Sequence, residues 1–234
     1  MNRTYVLLII IFLTNNLLFS QNENSNPHFK IGINIGPNYT TLRGDSFSEE
    51  YDSKINYFIG LKSEYYINEK ISVIANLNYD SKYVKAKFNK IYPSIFFPNN
   101  PSEELRIDNE LKFKYLNLPI LVRCYLGSKN NYFINLGGFY NHLLNFKYII
   151  NSGQSFPLAF QGLNNNDLND FIKTSDFGVS FGFGTSFNLQ NKTSLEIEVR
   201  NDSGIPEIQK YDFFGFKSIK TNTLRFIINW NFEL

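Results

Sequence analysis

The side chains able to do chemistry in this chain are few, and their spacing restricts what that chemistry could be. There are 2 histidines, His28 and His142, and 1 cysteine, Cys124. A lone cysteine excludes an intramolecular disulfide and a cysteine-rich metal site, and so few histidines leave little for zinc. General acid–base or nucleophilic catalysis needs a base within reach of an acid or a hydroxyl. Ser152, Ser155 and Asp167 follow His142, yet no spacing joins that histidine to a nucleophile or an orienting acid. The sequence therefore nominates no catalytic residue, no metal ligand and no cofactor site. The remaining candidates are charges: Lys30, Lys62, Glu64, Arg123, Asp176, Glu196, Glu198, Arg200 and Arg225. Each sits on the polar side of a two-residue alternation. In a closed sheet they would share the lumen, where opposite signs pair and either fill the barrel or line a narrow pore.

The elements that would hold these charges read as about eight strands, since apolar residues recur every second position. Phe29, Ile31, Ile33 and Ile35 alternate with Lys30, Gly32, Asn34 and Gly36. The segments 54–67, 70–83, 111–126, 131–144, 175–187, 193–201 and 221–234 behave alike, the clearest being Phe177, Val179, Phe181 and Phe183 against Gly178, Ser180, Gly182 and Gly184. No helical period persists. Aromatics at 17%, with 24 Phe and 15 Tyr, suit strands and argue against whole-chain disorder. Connections alternate in length: Asn68-Glu69, Gly127–Asn130 and Leu189–Asn191 are hairpin turns, whereas Thr40–Ser53, Val84–Glu110, Asn145–Ser175 and Asp202–Lys220 are long and polar. Short turns on one rim and long loops on the other are the layout of an outer-membrane barrel with periplasmic turns and extracellular loops.

Met1–Ser20 carries Arg3 and then the apolar run Tyr5–Leu13 before Ser20, the arrangement of a cleaved secretory signal. That run falls well short of the roughly 20 residues of a membrane-spanning helix. Residues 21–27 (QNENSNP) read as a flexible lead-in to a domain over 28–234. Lys plus Arg is 23 against 21 for Asp plus Glu, a net +2, which argues against nucleic acid as a partner.

Alternation alone does not say which face is inside. A soluble barrel points its apolar face inward, and a membrane barrel points it at lipid. Three features favour the second. Glycine recurs on the polar face (Gly32, Gly36, Gly60, Gly137, Gly178, Gly182, Gly184), as a crowded lumen requires. Aromatics gather near strand ends (Tyr65, Tyr79, Tyr125, Tyr132, Phe187, Trp230, Phe232), as interfacial girdles do. The exported chain also finishes in an amphipathic, aromatic-rich strand. The expected fold is all-β: an eight-stranded antiparallel transmembrane β-barrel.

Three stretches resemble a known family. Tyr115-Leu-Asn-Leu-Pro-Ile-Leu-Val-Arg-Cys-Tyr125, Lys30-Ile-Gly-Ile-Asn-Ile-Gly-Pro-Asn-Tyr39 and Ser175-Asp-Phe-Gly-Val-Ser-Phe-Gly-Phe-Gly184 are similar to strands of the PorT-like, porin-like outer-membrane β-barrel family of Bacteroidetes. The resemblance implies a non-enzymatic barrel with no shared catalytic residues, and Cys124 stands where an aromatic or apolar residue is usual. The expected partners are outer-membrane lipid and an envelope protein met through the long loops. The apolar clusters Tyr92–Pro98, Phe156–Phe160 and Ile208–Phe216 could form such a binding surface or pack together as a lid over the barrel mouth. A narrow pore for small solutes is the alternative, and a lipid-modifying enzyme the third reading.

Overall fold

Extended chains that are apolar on one side must pair their backbone groups with neighbours, and only a closed ladder leaves no unpaired edge. The computed structural model, which describes residues 29–44, 48, 51–88, 107–127, 131–152, 172–189, 192–211 and 218–234, shows that closure. The segments expected to be a cleaved signal, Met1–Ser20, and a lead-in, 21–27, together with His28, lie outside the described residues. The strands are β1 (Phe29–Gly44), β2 (Tyr51–Ser53), β3 (Ile55–Tyr66), β4 (Ile71–Phe88), β5 (Ile107–Leu126), β6 (Tyr132–Ser152), β7 (Ser175–Asn188), β8 (Thr193–Gly204) and β9 (Ile219–Glu233). Ladder order is β2-β4-β3-β1-β9-β8-β7-β6-β5, and a β4–β5 pairing closes the ring. The three-residue β2 pairs with β4 one residue out of step with β3 and continues the same stave, so the barrel has eight. Every pairing is antiparallel.

Strand ends differ from the sequence expectation in one consistent way. The segments 40–44, 84–88, 107–110, 145–152 and 202–204, expected in long loops, belong to strands β1, β4, β5, β6 and β8. The cause is a change of face. On β5, Leu116, Leu118, Ile120 and Val122 point outward, but Leu111, Phe113 and Tyr115 are buried inside, with Lys112 and Lys114 outward. The apolar residues switch from even to odd positions while the backbone runs on. A search for one unbroken apolar face stops at that switch. On β6 a bulge opposite Lys114/Tyr115 resets the phase, so Leu143 and Phe146 both turn inward and Lys147 outward.

Between the short-turn rim and this switch, the outward positions form a belt. It comprises Ile31–Tyr39 of β1, β3, Ile71–Tyr79 of β4, Leu116–Leu126 of β5, Tyr132–Leu144 of β6, Phe177–Phe187 of β7, Thr193–Val199 of β8 and Leu224–Phe232 of β9, with no Asp, Glu, Lys or Arg on its outward side. Belt segments of this kind match the roughly 9–11 residues that a tilted strand needs to cross a bilayer. The 21-residue β6 is far longer than that and rises well above the belt. Tyr65, Tyr79, Tyr132, Phe187, Trp230 and Phe232 are exposed on the outer surface, whereas Tyr125, expected among them, faces the lumen and is 7% exposed. It turned inward because Arg123 and Tyr125 share one side of β5.

Candidate functional site

In the lumen, buried ionisable groups of both signs converge. Narrow barrels have room for side chains only if some positions are emptied. A Cβ at Gly182 would lie 2.5 Å from Glu198 Oε1, and one at Gly184 would run into the Phe133 ring, so glycine at these positions makes space for both.

Nearest the short-turn rim, Lys30 Nζ lies 2.6 Å from Glu233 and above the Tyr66 ring. Further in, three cations and three anions form one cluster. Lys62 Nζ is 2.7 Å from Glu196 and 3.0 Å from Glu64. Arg123 Nη1 is 2.9 Å from Glu196 and 3.3 Å from Glu64, while Arg123 Nε donates to Asn135 Oδ1 at 2.9 Å. Arg200 holds both Glu198 oxygens, at 2.7 and 2.8 Å. Ser72 and Tyr125 donate to Glu64, and Asn135 to Glu198. The Arg123 guanidinium also stacks on Phe133, 3.7 Å from its centroid. Because β3 and β8 are separated by β1 and β9 in the ladder, the Lys62–Glu196 contact is a crossbeam through the lumen.

Above it lies a second cluster. Arg225 bridges Asp202 at 2.6 Å and Asp80 at 2.7 Å. Asp176 accepts from Asn141 and Thr221, both at 2.9 Å. Lys82 Nζ is 4.0 Å from Asp176, has no hydrogen-bond partner, and rests over the Tyr115 and Phe139 rings. Asn78, Asn117 and Asn141 link in a chain of side-chain amides. Above this level the interior becomes apolar: Leu42, Val84, Leu111, Phe113, Tyr115, Leu143, Phe146 and Ile219 pack together with Ile172 and Ile208 from the loops. Ile172 and Gln209 form a β-bridge across that mouth. Of the loop clusters, Tyr92–Pro98 and Phe156–Phe160 lie outside the described residues, and Ile208 is buried in the plug.

The structure places Lys30, Lys62, Glu64, Arg123, Asp176, Glu196, Glu198, Arg200 and Arg225 all inside, in three separate groups. Sequence reasoning missed Lys82, Asp80 and Asp202. Asp80 was in step with Asn76 and Asn78, so the period pointed to it. Asp202 was hidden by ending its strand one residue too early. His142 is exposed on the outer wall of β6, opposite Ser175, whose hydroxyl partners Tyr140 at 2.9 Å. Cys124 is exposed on the belt. Among the described residues no group of three or more His, Cys, Asp or Glu could hold a metal ion.

Solved outer-membrane proteins resemble the chain at low identity. Ail, the attachment invasion locus protein of Yersinia pestis, in complex with the heparin analogue sucrose octasulfate, is 12% identical over 88% of this chain and 99% of its own, with a TM-score of 0.40. OprG from Pseudomonas aeruginosa is 12% identical over 89% and 97%, with a TM-score of 0.46. Outer Membrane Protein W of E. coli is 12% identical over 90% and 100%, with a TM-score of 0.44. No curated protein matches the chain. A family model does, over residues 19–209; it stops short of β9, although β9 is the stave that joins β1 to β8. Uncharged belt, closed ladder and family match agree, and the chain belongs to the outer membrane protein beta-barrel domain family.

Proposed function

We propose that this is a non-enzymatic, PorT-like barrel of the outer membrane whose lumen is sealed and whose work is done by its long extracellular loops, as an envelope structural or interaction protein. One observation carries the reading. Charges that could define a path are instead spent on one another, and the apolar plug stands between them and the long-loop mouth. Buried charges in membrane proteins mark pathways by default, but here the crossbeams of Lys62, Arg123 and Arg225 tie distant staves together as internal struts.

Two experiments test it. The full chain in planar bilayers should show no steady conductance; ohmic channels would overturn the sealed lumen. Deleting residues 89–106 and closing the gap with an Asn-Gly turn leaves β4 and β5 whole, because the strands run to Phe88 and from Ile107, which face each other across the ladder. That deletion should abolish crosslinking to an envelope protein while the barrel still shifts on a gel between unboiled and boiled samples. Retained crosslinking would move the interaction elsewhere.

A narrow pore is the second reading. It is supported by buried side-chain atoms of Asn34, Asn76, Asn229 and Asn231 that have no protein partner. Ordered water would satisfy them, and a wet lumen conducts if the plug opens.

A further inference from the structure

The outward face changes character abruptly at the level where the interior turns apolar. The belt carries no charge; above it on the long-loop side β5 turns cationic at once with Lys114, and β6, β1 and β9 do so one outward step further, past Asn145, Thr41 and Asn222. Lys112 on β5 and Lys147 on β6 are direct cross-strand partners, and Lys114 sits one outward step nearer the belt. Lys85 on β4 lies beside them but is flanked by two acids, Glu110 of β5 and Asp52 of β2. On the far side of the barrel Arg43 of β1 faces Lys220 of β9, again directly opposite. Like charges set opposite each other on one face of a ladder repel and weaken it. In each pair at least one cation has no anionic partner among the described residues. Glu110 lies 3.4 Å from Lys112, but Lys114 and Lys147 have no anionic partner among the described residues. Arg43 spends its Nη2 on Ser203 Oγ and Gly204 O, both uncharged. The short-turn rim offers a contrast: its described charges outside the lumen, Glu69, Lys70 and Lys192, include no facing cation pair.

We infer that the Lys112, Lys114 and Lys147 patch is a binding site for the phosphate groups of anionic lipid headgroups in the leaflet on the long-loop side, with Arg43 and Lys220 as a smaller second site. Height selects the ligand. Lys114 is the next outward residue beyond Leu116 on the long-loop side of β5, so its ammonium lies one residue pair above the hydrocarbon edge, where phosphates lie. Flexible lysine stems extend along the wall and bring several ammonium groups to one phosphate. A bound phosphate turns the mutual repulsion of Lys112 and Lys147 into shared attraction, which zwitterionic lipid does not match.

The inference rests on the outer-membrane barrel reading, and one preparation tests the two separately. The full chain is placed in phosphatidylcholine vesicles containing spin-labelled phosphatidic acid or spin-labelled phosphatidylcholine, and the motionally restricted fraction is measured. Phosphatidic acid should be preferred by about threefold or more. K112Q/K114Q/K147Q should bring the preference close to parity, and K70Q/K192Q on the other rim should leave it unchanged. Equal retention of both lipids by the parent, or an unchanged preference in the triple variant, overturns the site. If inorganic phosphate abolishes the preference where chloride of equal ionic strength does not, the patch is a free-anion site and the lipid assignment falls. The band shift on boiling is scored on the same samples. Its absence would sink the barrel reading itself, whereas a shift without lipid preference sinks only this inference.

Discussion

On the short-turn side of Tyr115, β5 sends Asn117, Leu121 and Arg123 inward and Leu116, Leu118, Ile120 and Val122 outward; on the other side it sends Leu111 and Phe113 inward and Lys112 and Lys114 outward. Same strand, same backbone, opposite assignment. What differs is the solvent outside the wall. Where lipid surrounds the barrel, apolar side chains go out and the interior must satisfy the polar ones left behind. Where water surrounds it, the strand behaves like that of a soluble barrel and buries an apolar core. The lower storey is therefore held by mutually satisfied charges, the upper by packing. The two should fail in different ways.

The largest effect is expected from Arg123→Met. Removing this guanidinium, which holds Glu64 and Glu196 at 3.3 and 2.9 Å, leaves both to share Lys62 and the buried cluster with an uncompensated negative charge. Breaking a buried network from one side costs about 3–5 kcal/mol. Urea unfolding in micelles, read by the gel shift, should show it, and added salt should not reproduce it, because the cluster is shielded from bulk ions. Phe113→Ala, in the plug beside Tyr115 and Phe146, should cost about 3 kcal/mol as a cavity. It should loosen the long-loop end first, so proteolysis there rises while the membrane-embedded staves stay protected. Equal sensitivity at both ends would mean that the storeys are one cooperative unit.

The outer wall gives a cleaner contrast. Ile120→Arg places a charge in the belt, 56% exposed to what surrounds it, and should cost about 2–4 kcal/mol near the midplane. Asn145→Glu, which sets a charge on the outer wall directly opposite Lys114, should cost well under about 1 kcal/mol in stability. Similar penalties at the two positions would place the bilayer edge elsewhere.

Much of this was legible in the sequence. Belt, closure and the polarity of the lumen follow from a two-residue period over long segments, and glycine on the polar face signalled the crowding that Gly182 and Gly184 relieve. The upper storey was not legible as strand. Its apolar residues, Leu111 and Phe113 among them, occupy the opposite phase from the belt, so one periodicity cannot cover both. Which charge meets which was equally hidden. Lys62 and Glu196 lie 134 positions apart, and only the ladder order brings them together. Tyr125 misled because nearness to a strand end says nothing about side; its step with Arg123 does.

Among the buried charges the smallest effect is expected where the lower lumen is least satisfied. Lys82 has no hydrogen bond and reaches Asp176 only at 4.0 Å, resting on the Tyr115 and Phe139 rings. The Asp176 Oδ1 atom is also without a partner. A buried pair held this loosely regains little of its desolvation cost, so replacing both charges by neutral side chains of similar size should be close to neutral. Lys82→Met alone leaves Asp176 supported by Asn141 and Thr221 only and should destabilise by about 1–3 kcal/mol. Adding Asp176→Asn should restore stability to within about 1 kcal/mol of the parent. If the double variant instead stays as unstable as Lys82→Met, the pair contributes structure that its geometry does not reveal. If it is stable but begins to conduct, these charges close the pore, and the sealed lumen owes less to the apolar plug than to Lys82 and Asp176.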